Sequence, residues 1–180
     1  TGYEAADLRS RLKTEEQAGL SDLLRAEGFR ILRIDFENVD SLHLPLRAGL
    51  EIESEGRLPS FGEGCCFKPL MSIYKPFDLM WITGERLTPM DFGCPRTLSV
   101  KGRIQLPDGL SASELPEPMQ IRIPGKNISF ISGTGKTTDQ ISFTAELNLG
   151  EPTLSAAEYP YFKTFLLQVN TKFNEWVVCK

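Results

Sequence analysis

The chain has 180 residues, with 20 Lys and Arg against 24 Asp and Glu and a net charge of −4, so the basic footprint of a nucleic-acid binder is missing. It is 41% hydrophobic, enough to bury one core, and no apolar run approaches the roughly 20 residues of a helical membrane span. The four cysteines, Cys65, Cys66, Cys94 and Cys179, show no C-x-x-C spacing and are accompanied by a single histidine, which argues against a structural zinc site.

The first segment, Tyr3 to Leu12, carries Ala5, Ala6, Leu8 and Leu12 and reads as a short helix. A second follows: Thr14 and Gln17 make a capping box, Ala18, Leu20, Leu23 and Leu24 form an apolar side, and Gly28 suits the C′ stop. Residues 1–28 are therefore expected to form a helical hairpin leading into a domain over 29–180. The chain opens on Thr1 and runs straight into helix-like sequence, which reads as a piece of a longer protein.

From Phe29 the period falls to two, with Leu32, Ile34 and Phe36 opposed to Arg33, Asp35 and Glu37. Turn chemistry at Asn38 to Ser41 precedes a second alternating run through Leu44, Leu46, Ala48, Leu50 and Ile52. Cys65 to Tyr74 is more uniformly apolar, as in a strand covered on both faces. Lys75 to Arg96 is broken by Pro76, Pro89 and Pro95 and has no clear period. Two readings stay open for its apolar residues. They close the core as irregular edge strands, or Phe77, Met80, Trp81, Met90 and Phe92 face outward and contact a neighbouring domain.

Alternation returns at Thr97 to Leu106, which ends in the turn Pro107-Asp108-Gly109. Met119 to Ile123, Ile128 to Phe130 and Ile141 to Leu149 follow, separated by Pro124-Gly125 and by Ser132-Gly133-Thr134-Gly135. Tyr159, Phe162, Phe165, Leu166, Val169 and Phe173 then recur at helical spacing, predicting a C-terminal helix over about 156–170 laid on a sheet. Glu175 to Cys179 is β-branched and aromatic and is expected to add a last strand to that same sheet. Seven or more strands without crossover helices predict a mainly β fold, an antiparallel β-sandwich of immunoglobulin or fibronectin type or larger, carrying the helical hairpin and the packed helix.

Few motifs point to chemistry. Ser132 to Thr138 resembles a phosphate-binding loop, but Phe130 stands where its first glycine belongs, and the residues after it alternate as a strand. A hairpin tip is the reading, with Lys136 exposed on it. A thiol and His43 pair would need a base in hydrogen-bond reach and a third group to orient it, and no such set is recognisable. One of Cys65 and Cys66 can bridge to Cys94 in an oxidising compartment; otherwise the cysteines serve as small buried hydrophobes. No catalytic residue, metal site or cofactor is expected from the residues themselves.

The order of segments resembles the C-terminal β-domain, of unknown function, found in bacterial transglutaminase-like proteins of the cell envelope, relatives of papain-like cysteine peptidases. The matching residues are Gly2, Ala5, Ala6 and Arg9; Phe36-Glu37-Asn38 and Leu44-Pro45-Leu46; Arg86, Pro89 and Phe92; Leu106-Pro107-Asp108-Gly109; and the closing Glu158-Tyr159-Pro160-Tyr161-Phe162-Lys163-Thr164-Phe165. In that family a preceding domain carries a Cys, His and Asp triad, to which nothing in this chain corresponds. The resemblance therefore implies a non-catalytic accessory domain, in the periplasm, whose partner is the catalytic domain of the same longer chain. The alternatives are a ligand- or glycan-binding or adhesive sandwich, which an exposed line of aromatics on a sheet face would mark, and a cysteine hydrolase.

Overall fold

The computed structural model describes residues 9–10, 29–54, 60–61, 64–69 and 85–180. The chain divides into two units, Thr1–Arg57 and Leu58–Lys180.

In the first unit, β1 (Phe29–Glu37) and β2 (Arg47–Ser54) pair as an antiparallel hairpin, from Phe29 opposite Ser54 to Glu37 opposite Arg47. The register shifts between Ile31 and Arg33. A bulge adds one residue to one strand and so moves the side chains beyond it to the other face. Ile31, Ile34 and Phe36 are accordingly half-buried, while Leu32, which simple alternation grouped with Ile34 and Phe36, is 53% exposed. The second strand starts at Arg47 rather than near Leu44, because Pro45 has no N–H for a ladder and the turn is held by its own bonds. Asn38 adopts a left-handed φ of 63°, and its Nδ2 donates to the Pro45 carbonyl at 2.8 Å. Arg9 and Ser10 are helical. The rest of the expected helical hairpin lies outside the described residues.

The second unit comprises β3 (Ser60–Phe61), β4 (Gly64–Phe67), β5 (Met90–Asp91), β6 (Arg96–Gln105), β7 (Ala112–Glu114), β8 (Met119–Arg122), β9 (Ile128–Lys136), β10 (Gln140–Leu149), β11 (Thr153–Leu154), α1 (Tyr159–Phe173) and β12 (Val177–Cys179). All its strand pairs are antiparallel. The larger sheet runs β6-β10-β9-β8 and the second runs β3-β4-β12-β7, with β5 and β11 forming a small separate pair. The protein is thus mainly β, with several antiparallel sheets in a sandwich-like arrangement and a C-terminal helix.

An inner strand of the larger sheet, β10 alternates strictly: Ile141, Phe143, Ala145, Leu147 and Leu149 are buried, and Ser142, Thr144 and Glu146 are exposed. Its buried face receives the stripe of α1, with Phe162, Leu166, Val169 and Phe173 packed among Ile128, Phe130 and Leu149. One glycine is required here. Gly102 lies opposite Phe143, and a Cβ at Gly102 would fall 2.2 Å from the ring.

A second apolar cluster joins the two sheets, combining Phe67, Leu106, Ala112, Ile141 and Val177 with both Cys65 and Cys179. Two sequence expectations need correction here. First, β12 does not extend the sheet under the helix; it lies between β4 and β7. Val177, Val178 and Cys179 are all buried, and a strand with no wet face belongs in a sheet interior rather than on an edge. Secondly, among the described residues the apolar run from Cys65 contributes only the short β4, whose burial alternates instead of being continuous.

Candidate functional site

Of the residues singled out for a domain contact, Phe77, Met80 and Trp81 lie outside the described residues. Met90 is 5% exposed and sits opposite Leu154 in the β5–β11 pair. Phe92 is half-buried, with its ring 5.2 Å from that of Phe162. Both therefore pack toward α1. His43 is exposed in the β1–β2 loop.

Ser132 to Lys136 is not a hairpin tip but the second half of β9; the turn falls at Thr137 to Asp139 and leads into β10. A phosphate-binding loop needs a helix at that point, so the stretch is structural. Lys136 Nζ donates to the Ala112 carbonyl at 2.5 Å and Thr134 Oγ1 to the Pro116 carbonyl at 2.6 Å, tying β9 to the segment around β7.

Near the C-terminal end of α1 the helix buries a charge. Lys172 is 4% exposed, and its ammonium group donates to Glu175 Oε2 at 2.5 Å and to the Glu117 carbonyl. Beside it Ser132 Oγ is buried with no protein partner, on a space of about 10 Å³ lined also by Pro116, Thr134 and Glu175. That is room for one water and none for a substrate. Lys172 Nζ donates to the Glu175 carboxylate and the Glu117 carbonyl and makes no hydrogen bond to the serine.

In the folded chain the Cys179 thiol is unsuited to attack. Cys179 is fully buried, and burial pushes its thiol up to about 11, with the neighbouring Cys65 adding to the effect by charge and by a hydrogen bond. A nucleophilic cysteine needs the opposite shift.

Two surfaces formed by described residues are open to a partner. The outer face of the larger sheet presents Ser99, Lys101, Arg103, Gln120, Ile131, Ser142, Thr144 and Glu146. It is polar and carries no aromatic side chain. At the sheet edge, β8 and α1 frame a groove of about 190 Å³ lined by Ile121, Ile123, Phe165, Tyr161, Thr164 and Gln168. Small-molecule sites usually measure about 300–1,000 Å³, so this one suits a side chain or a chain segment better than a cofactor. Tyr161 is 68% exposed on its rim. Tyrosine is favoured at protein interfaces because it offers a rigid apolar ring with a polar end.

Several of the described residues that carry the sequence resemblance contact one another within their own unit. The Arg9 guanidinium donates to the carbonyls of Asn38, Ser41 and Leu44. Arg86 lies 5.7 Å from the Tyr159 ring centroid, and Phe92 packs on Phe162. Leu106 is buried, and Gly109, with φ 84°, closes the turn that follows it. These are framework contacts within a mainly β fold. Residues 65–179 match the family described as a domain of unknown function with a solved structure (DUF3858), and the chain belongs to that family. No curated protein and no solved structure matches it. Among the described residues no helix is long and apolar enough to cross a membrane.

Proposed function

We propose that this domain is a non-catalytic accessory module of a bacterial transglutaminase-like protein, working in the cell envelope by packing on and orienting the catalytic domain of the same longer chain. One observation carries the reading. Along Tyr159 to Phe165 the fold buries Tyr159, Phe162 and Phe165 and leaves Tyr161 open, beside a groove that already has an apolar floor. An aromatic residue kept out of the core, within a stretch that otherwise builds it, is available for a partner. The framework contacts of Arg9, Arg86 and Phe92 agree with a scaffold role, as does a buried, weakly acidic Cys179. A glycan-binding module is less well supported, because the open sheet face has no line of aromatics; Trp176, the exposed tryptophan among the described residues, has the Lys68 ammonium 4.6 Å from its ring.

Amide hydrogen exchange on this chain alone and on a longer protein containing a transglutaminase-like domain tests the proposal. Protection of β8 and the first turns of α1 is expected only in the longer protein. Tyr161→Ala should remove that difference without changing the melting temperature of the isolated chain. Equal exchange in the two proteins would overturn the reading.

A further inference from the structure

Cys65 and Cys179 stand directly opposite each other in the β4–β12 ladder, with Val177 opposite Phe67 and Val178 opposite Cys66. Opposed residues of an antiparallel pair project to the same face with Cα atoms about 4.5–5.5 Å apart, inside the range of about 4.4–6.8 Å that a disulfide spans. Both side chains lie in the same apolar cluster, and Cys65 is among the neighbours that push the Cys179 thiol up. Cys66 belongs to the other face of β4 and Cys94 follows β5 in a different strand pair, so the geometry selects one pair among four cysteines. The approach of the backbones is already made: a Cβ at Gly64 would fall 1.8 Å from the Cys179 carbonyl oxygen, so only glycine lets the end of the chain lie this close to β4.

We propose that Cys65 and Cys179 form a disulfide-bonding pair, a covalent modification site that clasps the C-terminal strand to β4. The partner thus differs from Cys94, the bridge the sequence alone left open. The oxidant is a small-molecule disulfide of the glutathione type. One protein thiolate attacks a sulfur of that disulfide, displacing a glutathione thiolate and leaving a mixed disulfide. The second protein thiolate then attacks the protein sulfur of the mixed disulfide and displaces the other glutathione. The S–S bond of the oxidant breaks, the protein S–S bond forms, and two electrons and the two thiol protons end on the glutathione released.

Both sulfurs are shielded in the folded chain, and only a thiolate attacks. The reaction therefore runs while β12 is undocked, during folding or during opening of this three-residue strand. Once closed, the bridge ties together the ends of the segment that holds the larger sheet and the helix. The inference is independent of the accessory reading.

The test is to refold the chain in a glutathione redox buffer and, separately, in excess dithiothreitol, then to block free thiols and map peptides by mass spectrometry. The oxidised sample is expected to be lighter by two hydrogens and to yield one cross-linked pair containing Cys179. The link should persist in Cys66→Ser and Cys94→Ser, and adding dithiothreitol should lower the melting temperature. Where Cys65→Ser or Cys179→Ser fails to fold, the wild-type and Cys66→Ser maps decide. Four blocked thiols after oxidative refolding, or Cys179 joined to Cys66 or Cys94, would overturn the proposal.

Discussion

Glu158 Oε1 lies 2.6 Å from Lys126 Nζ, so the turn ahead of α1 is tied to the β8–β9 turn by a charge pair. The other carboxylate oxygen, Oε2, accepts from the Ser155 N–H at 2.8 Å and the Ser155 hydroxyl at 2.9 Å. Lys126 first, and then the Ser155 donors, hold the Glu158 carboxyl down at about 2 against an ordinary 4.5. A carboxyl depressed in the folded state stabilises it fully above the ordinary value and progressively less as pH falls toward the folded one. The urea midpoint should therefore drop between about pH 4.5 and about pH 2, and Glu158→Gln should flatten that slope while leaving the remaining acid response in place. An unchanged slope in the variant would show that the pair contributes nothing in solution.

Gly102→Ala should destabilise by about 1–3 kcal/mol, the usual result of forcing atoms into a filled core. The added Cβ meets Phe143 ring atoms at 2.2 and 2.6 Å, and that ring is 2% exposed among the residues under α1, so it has no solvent to retreat into. Chemical denaturation measures the loss. Gly133→Ala is the control, since its nearest neighbour is the Thr144 hydroxyl at 3.8 Å on the open face.

The long strands of the larger sheet and the helix that carries Tyr161 were legible in the sequence because their periods are strict: β6 and β10 alternate over ten residues each, and the α1 stripe repeats over four turns. Other features leave no such mark. Three consecutive buried residues in β12 carry no period, and the strand pairs with segments more than 60 residues away, so its sheet is decided by tertiary packing. Gly133 and Gly135 look like turn residues, yet they lie within β9 opposite Thr144 and Ser142. The bulge that exposes Leu32 is invisible to a count of alternating letters. Opposition of Cys65 to Cys179 is a matter of register between the two ends of the domain, which no local pattern encodes.

Lys172→Ala should cost about 2–4 kcal/mol. Removing one partner of a buried pair leaves the other charge without compensation, and here it also leaves the Glu117 carbonyl without its donor. Glu175 retains partial solvent access, which keeps the loss below that of a fully enclosed pair. Lys172→Met preserves the aliphatic length and should recover part of the stability, most completely when combined with Glu175→Gln. A double-mutant cycle from urea titrations separates packing from charge.

Lys136→Ala is expected to cost about 0.5–1.5 kcal/mol, the net worth of one hydrogen bond. That exceeds the half kcal/mol or so usual for an exposed tip residue, because Nζ holds the Ala112 carbonyl at 2.5 Å. Lys136→Met should lose nearly as much as the alanine variant if the bond rather than the stem is responsible. Thermal unfolding of the two variants side by side reads the difference.

Arg9→Lys should loosen the β1–β2 loop while leaving the second unit as it is. The guanidinium reaches three carbonyls at once, with Nε 3.2 Å from Asn38 O and Nη2 3.3 Å from Ser41 O and 2.6 Å from Leu44 O. Lysine offers a point donor on a flexible stem and cannot reproduce a planar fork spread over three acceptors. Two of those carbonyls also close the loop's own turns, Asn38 O accepting from the Ser41 N–H and Ser41 O from the Leu44 N–H, so the arginine reinforces bonds that would otherwise open singly. Losing about 1.5–3 kcal/mol of charge-assisted bonding would speed exchange of the Ser41 and Leu44 amides roughly tenfold or more through local opening. Protection in β9 and β10 should not change, because they belong to the other unit. Unaltered exchange at Ser41 and Leu44 would mean that the loop is held by Asn38 and its backbone turns alone, and that Arg9 is dispensable to the hairpin.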